Sequence, residues 1–251
     1  MEKNYNFTYV IILTACIQPK NIPFLKRNSE KDRLRDYKIA FTKWCKSKSI
    51  EKIIFVENSG YNLEFFYDEA KKFSEKKIEI LSSNLNNTFN KSLGKGYGEH
   101  LCFKEVIEKS KLFKENKFFI KVSGRYYIKN YQNILKEFKK KKSEIFVNLK
   151  DNLKYADSHV FGGSNIFFSK YVVPISSKTN DSKSIFMENC LAKSVLLGIN
   201  DNLKFNNIET FPYIAGIIGT NNRVIKNNLF KKIKLYFFGK LKNYFLSQKK
   251  Y

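Results

Sequence analysis

The order in which strand-like and helix-like segments alternate is what most constrains the fold of this chain. Phe7 to Ala15 (FTYVIILTA) is β-branched and apolar, and Lys52 to Glu57 (KIIFVE) is a second such run, stopped by Asn58-Ser59-Gly60. Ile78 to Ser82 and Phe118 to Val122 (FFIKV) are the third and fourth. Between them the apolar residues take helical spacing. Asn28-Ser29 caps a predicted helix from Glu30 to Ser47, with Leu34, Ile39, Phe41 and Trp44 among its apolar positions. Leu63 to Ser74 and Glu99 to Phe113 also read as helices. Strands alternating with helices predict a parallel or mostly parallel sheet. Such sheets bind ligands beyond the carboxyl ends of their strands, so the loops at 14–21, 57–61, 83–98 and 123–127 are expected to share one face.

The second half is less regular. Ile145 to Asn148 reads as a short strand, Asp157 to Phe168 as a loop and strand around Gly162-Gly163, and Asp181 to Leu197 as a capped helix. Ile208 to Tyr213 is a predicted strand, followed by a Gly/Asn-rich loop at 216–222. We therefore expect a single domain over residues 1–225 and a C-terminal helix over 226–251. From Arg223 to Tyr251 there are nine Lys/Arg and no Asp or Glu, with Phe230, Ile233, Phe237, Leu241, Tyr244 and Phe245 on one side of a helical wheel. A basic helix with an aromatic face is the pattern of a segment lying in a membrane interface. The alternative is a last helix packed on the domain with its lysines in water.

The net charge is +24 and the sequence pI about 9.7, which raises nucleic-acid binding as an alternative function. Only five of the 47 basic residues are arginine, and the lysines accompany many Asn, Ile, Phe and Tyr residues, as an AT-rich coding sequence would produce. No RNP-like strand, zinc finger or helix-turn-helix is visible. Each arginine is correspondingly informative, since arginine suits bidentate phosphate contacts. Cys16, Cys45, Cys102 and Cys190 show no C-x-x-C spacing and read as reduced, mostly buried thiols of a cytoplasmic protein. The N-terminus has no secretory pattern, and the apolar run from Tyr9 to Cys16 is too short to span a bilayer.

Two segments point to a phosphate-bearing ligand. Gly94-Lys95-Gly96-Tyr97-Gly98-Glu99 reads as a glycine-rich loop opening a helix, and Lys121-Val122-Ser123-Gly124-Arg125-Tyr126-Tyr127 as a strand ending in a turn with a fixed cation. The first is neither G-x-x-x-x-G-K-[ST] nor G-x-G-x-x-G, which argues against a P-loop NTPase or a dinucleotide enzyme.

Taken in order, Glu57-Asn58-Ser59-Gly60-Tyr61, then Gly94 to Glu99, then Ser123 to Tyr127 resemble small bacterial GT-A-like glycosyltransferases of capsule, O-antigen or lipooligosaccharide synthesis, over residues 7 to 225. The resemblance implies an α/β, Rossmann-like fold with a mixed, mostly parallel sheet. It also implies sugar transfer from a nucleotide-sugar donor to a lipid-linked or oligosaccharide acceptor at the inner-membrane surface. Donor contacts are then expected from Thr14, Arg33 and Asn58; from Lys95, Gly96, Tyr97, Gly98 and Glu99; from Lys121, Gly124, Arg125 and Tyr126; and from Arg223. Arg35 is expected beside Arg33. Gly162, Gly163 and Asn189 are expected on the acceptor side. Glu188 is the first candidate base, with Asp157 and His159 next. The family places an Asp-x-Asp metal motif after the fourth strand, where this chain has Ser123-Gly124-Arg125. No metal ligand is assigned, Mg or Mn stays an open cofactor, and Arg125, helped by Lys121 or Lys95, is expected to neutralise the diphosphate. His100 and His159 are read as polar residues near the site, since two histidines make no closed zinc site with such distant cysteines.

Overall fold

A computed structural model describes residues 8–225 and 227–246; the expected start of the first strand at Phe7 and the ends of the expected C-terminal segment, Lys226 and residues 247–251, lie outside them. The first half follows the predicted alternation: β1 (Tyr9–Ala15), α1 (Glu30–Cys45), β2 (Lys52–Glu57), α2 (Glu64–Lys71), β3 (Lys77–Ser82), α3 (Gly94–Lys109), α4 (Lys111–Glu115) and β4 (Phe118–Ser123). Then come β5 (Tyr127–Ile128), α5 (Tyr131–Lys141), β6 (Ile145–Phe146), β7 (Leu149–Lys150), β8 (Tyr155–Ala156) and β9 (Val160–Ser164). A π-helical stretch, Phe167–Val172, leads into α6 (Val173–Ser176), followed by α7 (Met187–Asn200), β10 (Phe205–Asn206), β11 (Ile214–Ala215) and α8 (Leu229–Leu246).

The main sheet has seven strands in the order β10-β6-β9-β4-β1-β2-β3. All neighbours pair parallel except β9, which runs antiparallel to both β4 and β6. The fold is thus α/β, with a mixed, mostly parallel sheet flanked by helices. Both faces are covered, which is why β1 is apolar throughout rather than alternating. Ile11 and Leu13 join the core under α1, α2 and α5, while Val10 and Ile12 join the core under α3, the π-helical stretch and α7. The chain runs from β1 outward to β3 and then returns to β4 on the other side of β1. That reversal leaves a crevice at the carboxyl ends of β1 and β4.

Several expected elements are replaced, each for a local reason. The Gly94-to-Glu99 segment is not a loop but the first turns of α3. Its glycines admit close packing: the Asp181 carboxylate fills the space a Cβ on Gly94 would need, and a Cβ on Gly96 would lie 2.5 Å from Thr179 Cγ2. The helix predicted to Phe113 breaks at Ser110, whose Oγ caps α4 by accepting from Phe113 N at 2.9 Å; Glu79 on β3 accepts from Lys111 N at 2.9 Å. The helix expected from Asp181 begins at Met187 instead, because Asp181 turns toward α3 and Asn189 Oδ1 accepts from Phe186 N at 3.2 Å. The strand expected over Ile208 to Tyr213 is irregular. Its backbone is satisfied by side chains: Glu137 accepts from Glu209 N and Thr210 N at 2.8 Å each, and Asn130 accepts from Tyr213 N at 2.8 Å.

The C-terminal helix packs on the domain through one narrow stripe. Gly239 lies against Ile208 O, and the Asn243 amide exchanges hydrogen bonds with the backbone of Asn207 at 2.5 and 3.0 Å. The predicted aromatic face points the other way: Phe230, Phe237 and Phe245 are 81%, 61% and 74% exposed. Among the described residues no helix is long and apolar enough to cross a membrane.

Candidate functional site

A cleft of about 330 Å³ opens at the carboxyl ends of β1 and β4. The four loops expected on one face all reach it, through Thr14 and Cys16, Asn58, Asn86 and the start of α3, and Ser123, Arg125 and Tyr126. A buried carboxylate builds this rim. Glu57, fully buried at the end of β2, accepts from Ile17 N at 2.9 Å, Ser59 N at 3.0 Å and Tyr61 N at 3.3 Å. It also accepts from Ser59 Oγ, so one side chain ties the loop after β1 to the loop after β2. Burial raises its pKa against the pull of these donors. Asn58, on the cleft lining, donates to Gly98 O at 2.6 Å, while its Oδ1 is buried without a hydrogen-bond partner.

One wall of the cleft is cationic. Arg33 is only 5% exposed, yet its guanidinium meets neutral acceptors alone: Cys16 O at 2.7 Å, Arg27 O at 3.1 Å and Tyr37 Oη at 3.1 Å. Arg125 donates to Ile217 O at 2.9 Å and stacks against Tyr126. Among the described residues neither has a carboxylate within ion-pair distance. Arg27 differs. It forms a two-pronged pair with Asp36, at 2.5 and 2.9 Å, and donates to Asn222 at 2.8 Å, fastening the 216–222 loop over the cleft. A buried charge without a counter-ion is costly, so the Arg33–Arg125 wall is set up for an anion supplied from outside.

The cleft also holds proton acceptors. Glu188, in the first turn of α7, accepts from Ser158 Oγ at 2.8 Å. His159 Nδ1 lies 2.7 Å from Asp157 Oδ1, and Asp157 Oδ2 lies 2.7 Å from Lys150 Nζ. Burial disfavours the Asp157 carboxylate, but His159 and Lys150 outweigh it and hold the group far below the usual carboxylate range. With Nδ1–H turned to Asp157, the other ring nitrogen of His159 is left to accept a proton. Tyr155 also lines the cleft; burial, with Glu188 and Asp157, pushes its phenol up to about 12. Cys16 lines the cleft too, and burial pushes its thiol up to about 12 despite Arg33, so it offers no thiolate.

The structure gathers some of the expected residues and disperses others. Thr14, Arg33, Asn58, Lys95, Gly96, Gly98, Glu99, Arg125 and Tyr126 line the cleft, as do Glu188 and His159. Asp157 stands behind His159. Lys121 does not reach the cleft. It is fully buried, paired with Glu99 and donating to Ser158 O at 2.6 Å, so its charge is spent inside the protein. Tyr97 packs on Phe89 and His100, with ring centroids 5.0 and 5.4 Å away. Gly124 lets β4 approach β1, its N–H bonding Thr14 O at 2.8 Å, and presents no surface to the cleft. Arg223 is exposed outside the cleft, and Arg35 pairs with Asp32 at 3.3 Å on the surface of α1. Gly162 and Gly163 lie within β9, where a Cβ would strike Phe119 O and Glu144 O, and Asn189 caps α7; none of the three lines the cleft. His100 is buried against Ser176 Oγ at 2.9 Å. Cys16, Tyr155 and Ser158 went unrecognised in the sequence because their neighbours carry no motif.

No closed metal shell forms. Among the described residues no three His, Cys, Asp or Glu side chains cluster to hold an ion. Ser123 ends β4 and Arg125 follows it, with no carboxylate between them, and the nearby Glu99 is paired with Lys121. This donor set does not fit a divalent cation.

No protein-family profile matches the chain, and no curated protein does. Solved structures similar to it include the inositol-1-phosphate CTP transferase of T. maritima, at 13% identity, covering 92% of this chain and 96% of that one with a TM-score of 0.47. A cytidylyltransferase from Leptospira borgpetersenii is 10% identical over 97% of this chain and 98% of its own, TM-score 0.43. Mouse xyloside xylosyltransferase 1 is 11% identical over 77% and 82%, TM-score 0.39. At this similarity they assign no activity or ligand to the chain.

Proposed function

We propose that this protein is a glycosyltransferase that moves a sugar from a nucleotide-sugar donor to a lipid-linked or oligosaccharide acceptor in surface-polysaccharide synthesis. The observation that carries the reading is the pair Arg33 and Arg125, two cations at the carboxyl ends of the parallel strands without carboxylate partners among the described residues. They hold the donor diphosphate and stabilise the charge that develops as it leaves. The bond between the sugar C1 and the phosphate oxygen breaks, its electron pair staying with the diphosphate. The acceptor oxygen bonds C1, and its proton passes to Glu188 in the cleft. His159, oriented by Asp157, is the second proton acceptor within reach of the same space. No step is assigned to a metal ion. The exposed aromatic face of α8, with its flanking lysines, rests the enzyme on an anionic membrane surface, where each lysine adds about 1 kcal/mol.

The test is thermal stabilisation by a panel of nucleotide sugars and nucleotides, with and without EDTA, alongside RNA at two salt concentrations. The reading predicts stabilisation by one nucleotide sugar. Stabilisation by RNA alone, weakening steeply with salt, would replace it with the nucleic-acid alternative. Glu188→Gln and His159→Asn then assign the base, because loss of turnover with donor binding retained marks the residue that takes the proton.

A further inference from the structure

A second cavity of about 850 Å³ lies between α8 and the body of the domain. Its floor is aliphatic, including Ile134, Val160, Ile208 and Ile214, and its roof is Leu235 and Phe238 from α8. Its volume falls in the range of ligand pockets. Two features say what belongs there. Lys150, Lys234 and Lys242 stand at its edge, and among the described residues neither Lys234 nor Lys242 has a carboxylate partner. Lys242 donates to Leu149 O, and burial together with the charges of Lys150 and Lys234 pushes its pKa down, as in a cluster of like charges awaiting an anion. Of the acidic residues on the lining, Asp157 is engaged by Lys150 and His159, leaving Asp151 as a partial offset. The cavity also adjoins the cleft, since His159 and Ile218 line both.

We propose that this cavity is the acceptor site, taking the hydrocarbon chain of a lipid phosphate beneath α8 with its phosphate held by Lys234 and Lys242. The head group then emerges beside His159, next to Tyr126 and Arg125 at the cleft. This rests on the transferase reading for its purpose but not for its binding chemistry. Helix α8 is apolar on two sides for two reasons: its outer face meets the bilayer, and its inner face covers a lipid chain.

Binding of octyl and dodecyl phosphate, below their micelle concentrations, would be measured by titration calorimetry on the full chain. Each further buried methylene strengthens binding about fourfold, so dodecyl phosphate, with four more, is expected to bind about 250-fold tighter than octyl phosphate, one per protein. Leu235→Trp, which fills the cavity from the helix, should weaken dodecyl phosphate at least about tenfold, with Ile225→Trp as a second filling variant should the first fail to fold. K234Q/K242Q should weaken it about tenfold. Binding that ignores chain length, or that both filling variants leave intact, places the lipid on the outer face of α8 and overturns the proposal. Nucleotide-sugar stabilisation is followed on the same samples. Dodecyl phosphate binding without a nucleotide response keeps the cavity and removes the transferase; the converse removes the cavity alone.

Discussion

The buried pair Lys121–Glu99 yields the sharpest prediction, because it separates a residue that builds the site from one that touches the ligand. Lys121 is fully buried, and the Glu99 side chain is 18% exposed. Lys121 also donates to Ser158 O at 2.6 Å and Ser123 Oγ at 3.3 Å, and Glu99 accepts from Thr14 Oγ1 at 3.1 Å. Removing one partner of a buried pair costs about 3–5 kcal/mol. Glu99 keeps some contact with water, so Lys121→Met should cost near 3 kcal/mol by that scale, whereas Glu99→Gln leaves an ammonium with none and should cost near 5. For a chain of this size the second loss corresponds to a drop in Tm of roughly 10–20 °C. The double variant removes both charges and should be more stable than either single variant. Urea unfolding at pH 7 with constant m measures all four proteins. Single costs that add in the double variant would refute the pairing. A double variant that folds but no longer responds to a nucleotide sugar, while Glu99→Gln alone still responds, would place Lys121 on the diphosphate after all.

Arg125→Ala should leave Tm unchanged without ligand and weaken donor binding by roughly 10- to 100-fold, the worth of one or two charged hydrogen bonds; Arg125→Lys should recover part of it, and wild-type affinity in the alanine variant would remove Arg125 from the site. His100, 5% exposed, has its pKa lowered to about 4 by burial and then Lys104, against an ordinary 6.5. The unfolded chain therefore binds the extra proton between those values, and stability falls as pH drops from about 6.5 toward 4. Wild type should lose about 2 kcal/mol between pH 7 and pH 5, and His100→Gln should flatten that slope in urea titrations. In α3, Gly96→Ala forces a methyl onto Thr179 and Met187 and should cost about 1–3 kcal/mol. Gly98→Ala meets nothing nearer than 3.7 Å and should be neutral or stabilising by up to about 1 kcal/mol, so equal effects would contradict the packing.

What the sequence determined by itself is the alternation of β1 through β4 with their helices, and hence the face on which the loops gather. Periodicity and capping act between neighbouring residues, so Ser29 before α1 or the apolar run of β1 can be read without knowing what packs against them. Tertiary structure decided where each charge is spent. Lys121 and Arg125 are four residues apart and look equally available in the sequence, but one turns inward to Glu99 and the other stays at the cleft with no carboxylate among the described residues. The glycines of α3 look like a phosphate loop until Asp181, 87 positions after Gly94, is seen to occupy the space beside them. The strand expected at 208–213 vanishes because Glu137 and Asn130 from another segment take its backbone hydrogen bonds. The cavity beneath α8 has no signature in any single stretch, since its floor and roof come from segments far apart along the chain. A charge or a void is defined by what folds against it, and those partners are set by contacts far apart along the chain.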